Sequence, residues 1–197
     1  MEINVSRGKA NFSQRNNELK PFESCNVTAM VMALSYMDYV FPPGSFEQPE
    51  DNLRDFIVNA GGNPENHYQL SAYTNRWMGK QVTHFSTERS IAGIFGELSA
   101  NRPVVLSGTF PGHPALNVSR KTGKPEPLWH IVCLTGFGGN DNNPDYVIWD
   151  DPYGDTLNNW RGSGNDIKIP YPLFIEWIKP CGNTRYKWGH FFVKEGI

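Results

Sequence analysis

Three residue types that together can cleave an amide bond occur in this chain in the order cysteine, histidine, aspartate. Cys25 follows an irregular polar run, His130 opens an apolar segment far downstream, and Asp150 and Asp151 end the next apolar segment. A thiolate can attack a carbonyl carbon, an imidazole can take up and return the thiol proton, and a carboxylate can fix the orientation of the imidazole. The set therefore predicts nucleophilic catalysis by a thiol.

Cys25 is predicted to begin a helix that runs to about Tyr39. Pro21 disfavours helix upstream, Ser24 is a suitable N-cap, and free N–H groups at a helix N-terminus favour a thiolate. A lone cysteine at such a position is also typical of a small core residue, and it is the histidine and the aspartates that favour catalysis. The helix is indicated by apolar residues that recur with its period: Val27, Met30, Val31, Leu34 and Met37.

His130 and the aspartates are predicted to meet on a hairpin. Residues 129–137 and 145–150 are strand-like and are separated by the turn-forming sequence GGNDNNP. In an antiparallel hairpin the start of the first strand lies beside the end of the second. Because side chains alternate between faces, only one of Asp150 and Asp151 can share the face of His130.

Such a reaction also needs a donor that stabilises the oxyanion of the tetrahedral intermediate. The backbone N–H of Cys25 is one candidate. An amide side chain in the preceding loop, Gln14, Asn16 or Asn17, is another.

The rest of the chain reads as helices first and strands later. We predict one α+β domain over residues 1–197, with N-terminal helices packed on a C-terminal antiparallel sheet. Further helices are predicted at 49–60, 68–78 and 87–100, strands at 2–5, 103–109 and 187–194, a short segment at 171–178 and a long exposed loop at 110–127.

Composition excludes several classes of function. A net charge of −2 gives no electrostatic case for nucleic acid or an anionic membrane, and no apolar run is long enough to span a bilayer. The N-terminus lacks the apolar stretch of a signal peptide, and three cysteines are an odd, sparse set. We therefore expect synthesis in a reducing cytoplasm without a disulfide framework.

The sequence also predicts neither a metal site nor a cofactor. A zinc site at Cys25 and His130 lacks every usual ligand spacing, and the turn GGNDNNPD lacks the spacing of a calcium loop. Cys133 is expected in the core and Cys181 in a loop, and Trp129 is expected to line the cleft or to anchor a strand end. Four histidines have no evident partner: His67, His84, His113 and His190.

Four segments together resemble a known family: QRNN at 14–17, SCNVTAMVMAL at 24–34, HIVCLTGF at 130–137 and VIWDDPYGD at 147–155. They resemble the papain-like cysteine peptidases related to bacteriocin-processing (C39-like) peptidases, and more narrowly the stand-alone domains of phage and bacterial cell-wall lysins. The resemblance implies a papain-like α+β fold. It implies Cys25 as nucleophile, His130 as general base, Asp151 as orienting acid and Gln14 as oxyanion donor.

The chain departs from the family pattern at two places. Asn26 stands where the family usually has glycine. Gln14 lies eleven residues before Cys25, farther than usual, so Asn17 remains an alternative oxyanion donor.

The resemblance implies a peptidoglycan endopeptidase or amidase, released to the cell wall in phage-type lysis, with a peptide or peptidoglycan as its partner. A leader- or protein-processing protease or an acyl transferase that uses the same residues is the first alternative. A non-catalytic cell-wall or peptide binding module is the second, which the intact set of Cys25, His130 and Asp151 disfavours. The oligomeric state is left open.

Overall fold

A computed structural model describes residues 2–6, 8–9, 12–112, 118–140, 143–183 and 187–193. Over these residues the chain forms five α-helices and seven strands. The helices are α1 Cys25–Tyr36, α2 Pro49–Asn59, α3 His67–Met78, α4 Ile91–Ser99 and α5 Tyr171–Ile178. The strands are β1 Glu2–Asn4, β2 Thr83–Arg89, β3 Val104–Phe110, β4 Leu128–Asn140, β5 Asn143–Asp150, β6 Ile167–Pro170 and β7 Lys187–Phe192.

The strands form one antiparallel sheet in the order β2-β7-β3-β4-β5-β6. The long strand β4 is its centre: β5 pairs along one edge, while β3 and then β1 share the other. The predicted α+β class, with helices packed on an antiparallel sheet, is confirmed.

Helix α1 is the buried helix of the fold. Every residue from 26 to 34 is buried, because β4 and α2 both pack against this helix. A helix covered in this way is apolar nearly all round rather than along one stripe. It ends at Tyr36 rather than near Tyr39, and Asp38 turns the chain with a left-handed φ of 63°.

Two strands were missed by the sequence analysis. Residues 83–89 form β2, which pairs with β7. The helix predicted from residue 87 therefore begins only at Ile91. Ser90 caps this helix, since its side chain accepts a hydrogen bond from the amide of Gly93. Residues 167–170 form β6 beside β5, and residues 171–178 are a helix. Pairing with another strand stabilises both β2 and β6, and no local pattern encodes such pairing.

The predicted hairpin of β4 and β5 is present and longer than expected. Its strands continue through most of the predicted turn, with register shifts at 134–136 and 138–139, and residues 141–142 lie outside the described part. Residues 113–117 of the predicted loop 110–127 also lie outside the described part of the chain. The same holds for Lys194, at the end of the last predicted strand. None of the helices in the described ranges is long and apolar enough to cross a membrane.

The close approach of β1 to β4, with which it pairs, demands a glycine. A Cβ added at Gly136 would lie 1.9 Å from the carbonyl oxygen of Ile3, whereas one at Gly96, inside α4, would meet nothing within 4 Å. We expect Gly136→Ala to lower the free energy of unfolding by about 2 kcal/mol, since β1 must move away. Gly96→Ala, the matched control, should raise it by about 0.5–1 kcal/mol. Urea denaturation measures both, and equal effects of the two substitutions would contradict this description of β1.

Candidate active site

Cys25 is the first residue of α1 and is partly exposed. Ser24 occupies the N-cap position as predicted, but its side chain does not cap the helix. Its carbonyl accepts from the amide of Thr28 at 3.0 Å, and so begins the helical hydrogen bonds. The thiol therefore lies at the positive end of a helix that the core holds in place.

Asn17 holds the loop before Cys25 against the helices. Its amide oxygen accepts from the hydroxyls of Ser24 and Thr28 at 2.8 and 3.2 Å, and its amide nitrogen donates to Glu50 Oε1 at 3.1 Å and to the carbonyl of Ser13 at 3.2 Å. Glu50 is fully buried, and burial raises the pKa of its carboxyl to about 7. These bonds occupy the Asn17 amide, so its side chain fits a structural role better than that of an oxyanion donor.

Gln14 lies at the junction of this loop with the segment that follows β5. Its backbone amide donates to the carbonyl of Pro152 at 2.9 Å, and its Nε2 donates to the carbonyl of Pro21 at 2.8 Å. The side chain is 2% exposed, and among the described residues its Oε1 has no hydrogen-bond partner. An amide nitrogen carries two hydrogens, so Nε2 retains one for a further acceptor.

His130 and Asp151 are directly hydrogen-bonded, with 2.7 Å between Nε2 and Oδ1. Both side chains are nearly fully buried, and the His130 ring also interacts with the side chain of Cys25. Because Nε2 donates to the carboxylate, the remaining ring nitrogen, Nδ1, is the one available to the thiol. The three residues predicted from the sequence are thus brought together at one place.

Three further hydrogen bonds fix the loop that carries Asp151. Its Oδ1 also accepts from the amide of Tyr153 at 2.8 Å, and its Oδ2 accepts from the hydroxyl of Thr156 at 2.6 Å. Its own backbone amide donates to the carbonyl of Gly164 at 2.9 Å. Sequence analysis missed Thr156, because a threonine five residues past an aspartate has no recognisable pattern.

Aromatic rings enclose the imidazole of His130. Trp160 and Phe110 contact it edge to face, with centroid distances of 5.0 and 5.7 Å. The indole nitrogen of Trp160 donates to the carbonyl of Pro111 at 3.3 Å, which fixes this wall. Such walls exclude water and strengthen the interaction between imidazole and carboxylate.

The pKa of His130 is raised to about 10 by these surroundings. Burial acts in the opposite direction, but the charge of Asp151 and its hydrogen bond outweigh burial, and the contact with Cys25 adds to them. The site therefore stabilises an imidazolium at neutral pH.

Asp150 points away from His130. It is directly opposite Cys133 in the β4–β5 ladder, and its Oδ1 accepts from the amide of Asp166 at 2.5 Å. The side chain is buried beside Tyr36, and burial raises the pKa of its carboxyl to about 7. Asp150 therefore anchors the chain before β6, on the other face of the hairpin.

A cleft of about 320 Å³ opens beside the candidate residues. It is lined by Cys25 and His130 together with Trp129, which is 56% exposed, and Trp188.

Cys133 and Cys181 are both buried, and burial raises the pKa of each thiol. The expectation that Cys133 belongs to the core is correct. Cys181 lies in the loop between α5 and β7, as expected, and is buried there, with 1% exposure. In the described parts of the chain, no group of three or more His, Cys, Asp or Glu side chains is placed to hold a metal ion.

The sequence profile of the Peptidase_C39 like family matches residues 9–166, a span that includes Cys25, His130 and Asp151. A search of curated proteins gave no match. The profile covers well over half of the chain, and the helices packed on an antiparallel sheet agree with a papain-like fold. The chain therefore belongs to the C39-like family of papain-like cysteine peptidases, a family of hydrolases.

Proposed function

We propose that this protein cleaves an amide bond in the peptides of peptidoglycan, with Cys25 as nucleophile, His130 as general base and acid, and Asp151 as orienting acid. The observation that carries the proposal is the 2.7 Å hydrogen bond between His130 Nε2 and Asp151 Oδ1. The imidazole ring that forms this bond also interacts with Cys25. A thiol, an imidazole and a carboxylate in this order are the arrangement of a cysteine protease.

The reaction follows from the positions of these groups. Cys25 Sγ, as thiolate, attacks the carbonyl carbon and forms a tetrahedral intermediate. The backbone N–H of Cys25 at the helix start and the Gln14 amide are the candidate donors to its oxyanion. The imidazolium of His130 protonates the leaving amine as the carbon–nitrogen bond breaks, which leaves a thioester on Cys25.

Water completes the cycle. His130, now neutral, removes a proton from a water molecule that attacks the thioester, and the carbon–sulfur bond breaks. The product leaves as a carboxylic acid, and the Cys25 thiolate and the His130 imidazolium are restored. Throughout the cycle Asp151 keeps the imidazole ring of His130 in the same orientation, because Tyr153 and Thr156 hold the carboxylate of Asp151 in place.

The peptidoglycan assignment is supported by the resemblance of the four motifs to cell-wall lysin domains and by the open cleft beside Cys25. Partly exposed aromatic side chains such as Trp129 are suited to an extended substrate that carries both apolar and polar groups. A leader- or protein-processing protease would use the same three residues on a different peptide. In an acyl transferase an amine, instead of water, would attack the thioester. Identification of the reaction products distinguishes both alternatives from hydrolysis of peptidoglycan.

Cys25→Ala and Cys25→Ser should abolish hydrolysis without loss of the fold, because removing a covalent nucleophile costs on the order of a millionfold in turnover. Purified protein is incubated with muropeptides, and the products are identified by mass spectrometry. Cys133→Ala is the matched control and should mainly lower stability, by about 1 kcal/mol. Faster alkylation of Cys133 than of Cys25 by iodoacetamide near neutral pH would show that the nucleophile is wrongly assigned.

Asp151→Asn and Asp150→Asn should differ in what they damage. Asp151→Asn keeps an oxygen near the ring but removes the charge that stabilises imidazolium, so kcat/KM should fall roughly 100-fold. Asp150→Asn should alter the melting temperature more than catalysis, since Asp150 faces away from His130. Both variants are measured on one muropeptide, with melting temperatures in parallel. A larger catalytic loss in Asp150→Asn at unchanged stability would overturn the assignment.

Activity should show a bell-shaped dependence on pH with an alkaline limit well above that of a free imidazole. The raised pKa of His130, about 10, keeps the ring charged as pH rises, and charge is lost only when pH approaches that value. In Asp151→Asn the alkaline limit should move to lower pH, because the stabilising charge is gone. Profiles of kcat/KM from pH 5 to 11 measure the alkaline limit of the wild type and that of Asp151→Asn. EDTA is expected to have no effect on activity. Full inactivation by EDTA and rescue by zinc would indicate a metallohydrolase instead.

A further inference from the structure

Two histidines that the sequence left without partners form a partly buried pair at the wall of the cleft. His67 Nδ1 and His190 Nε2 are 3.0 Å apart, and His190 Nδ1 is 2.8 Å from the hydroxyl of Ser71. His190 is 1% exposed and Ser71 is 5% exposed, whereas His67 also lines the cleft. Residues from α3 and β7, far apart in sequence, are thus joined by two hydrogen bonds into a chain of three side chains that ends in the cleft.

This chain supplies the cleft with a neutral imidazole. A single hydrogen lies between the two ring nitrogens, so the two rings do not both carry a charge at this distance. Burial lowers the pKa of His67, and burial followed by the neighbouring histidines lowers that of His190. The two hydrogen bonds can run in either direction. When His67 donates from Nδ1 to His190 and His190 donates to Ser71, Nε2 of His67 is an acceptor, and a ligand that donates a hydrogen bond favours this arrangement.

His67 is held at a set distance from the nucleophile. Asn26, the residue after Cys25, donates from Nδ2 to the carbonyl of Pro64 at 2.5 Å, just before α3 begins. The residue that departs from the family's usual glycine therefore ties the start of α1 to the segment that carries His67. The ring of His67 is stacked on Phe85, with 5.0 Å between centroids and 8° between planes.

Between His67 and Cys25 the cleft is aromatic. Trp188 contacts the His67 ring edge to face at 5.0 Å, and Trp129 lies 6.3 Å from Trp188 between ring centroids. Trp129, His130, Trp188 and His67 all line the same cleft, so aromatic rings lie along it from the imidazole of the active site to His67. The faces of tryptophan rings attract cations as well as methylene groups.

The charged residues of the same cleft are acidic. Glu23 and Glu65 line it, and both are exposed. Oε2 of Glu23 is 3.4 Å from Nζ of Lys20, whereas the carboxylate of Glu65 forms no ion pair within the described residues. No lysine or arginine is among the described residues that line the cleft. The aromatic surface, the neutral acceptor and the acidic rim all favour the same kind of ligand.

We propose that the part of the cleft between Cys25 and His67 is a subsite for a substrate residue that carries a primary ammonium group. The ammonium donates to Nε2 of His67 and is attracted by Glu65, while its methylene groups lie on Trp129 and Trp188. The proposal deepens the proposed function, because Cys25 attacks the peptide bond next to this residue. His67 is thereby a specificity-determining residue, and Ser71 and His190 position it.

Cys25 itself reports on the charge preference of this subsite. Its thiolate attacks the sulfenyl sulfur of a methanethiosulfonate, forms a mixed disulfide and releases methanesulfinate. The second-order rate constant at Cys25 is measured by mass spectrometry at pH 7 for two reagents, the cationic 2-aminoethyl and the neutral methyl methanethiosulfonate. The ratio of the two rate constants is compared among the wild type, Glu65→Gln, His67→Phe and the control Glu47→Gln, an exposed acid outside the cleft.

We expect the ratio to fall roughly threefold to fivefold in Glu65→Gln and in His67→Phe, and to stay unchanged in Glu47→Gln. An unchanged ratio in Glu65→Gln, or an equal fall in Glu47→Gln, would overturn the subsite. Glu65→Gln decides the question if His67→Phe fails to fold, since Glu65 is exposed. A failure of the proposed function is distinct: Cys25 would then react with the neutral reagent no faster than a free thiol, and muropeptides would stay intact.

Discussion

The buried hydrogen bond between His130 and Asp151 is the interaction on which the rest of the site depends. Removing an imidazolium and a carboxylate from water is costly, and the cost is offset only where partners satisfy both groups. Asp151 has such partners in Tyr153 and Thr156, and the ring of His130 is covered by Trp160. The loop after β5 is therefore folded around the carboxylate, and its conformation follows from that requirement. Helix α1 is held against β4 by the core and brings Cys25 to the same ring.

The alternation of side chains along β5 gives two adjacent aspartates separate tasks. Asp151 faces His130, whereas Asp150 is buried on the opposite face, accepts from the amide of Asp166 and lies beside Tyr36. A shift of the hairpin register by one residue would exchange the two and remove the carboxylate from the site. The hydrogen bond from the amide of Asp166 to Asp150 thus stabilises the register on which the geometry of Asp151 depends.

Local signals in the sequence predict the elements that carry the chemistry. A helical period after Cys25, two apolar runs with a turn between them, and the Asp151-Pro152 pair place three residues on α1, β4 and the end of β5. Strands β2 and β6 were missed because their stability comes from pairing with β7 and β5, not from their own residues. The His67–His190 contact and the bond from Thr156 to Asp151 were missed for the same reason. Each joins side chains whose proximity is a property of the whole fold, and a single sequence does not record it.

The charge state of His130 tests the central claim most directly. Nuclear magnetic resonance of the ring carbons and nitrogens, with the His130 signals assigned by comparison with a His130→Gln variant, follows the protonation of this one imidazole against pH. We predict that the ring of His130 stays protonated well above pH 8 in the wild type, because Asp151 raises its pKa, and that it loses its proton at clearly lower pH in Asp151→Asn. A His130 that titrates near the ordinary value of about 6.5 in both proteins would contradict the account.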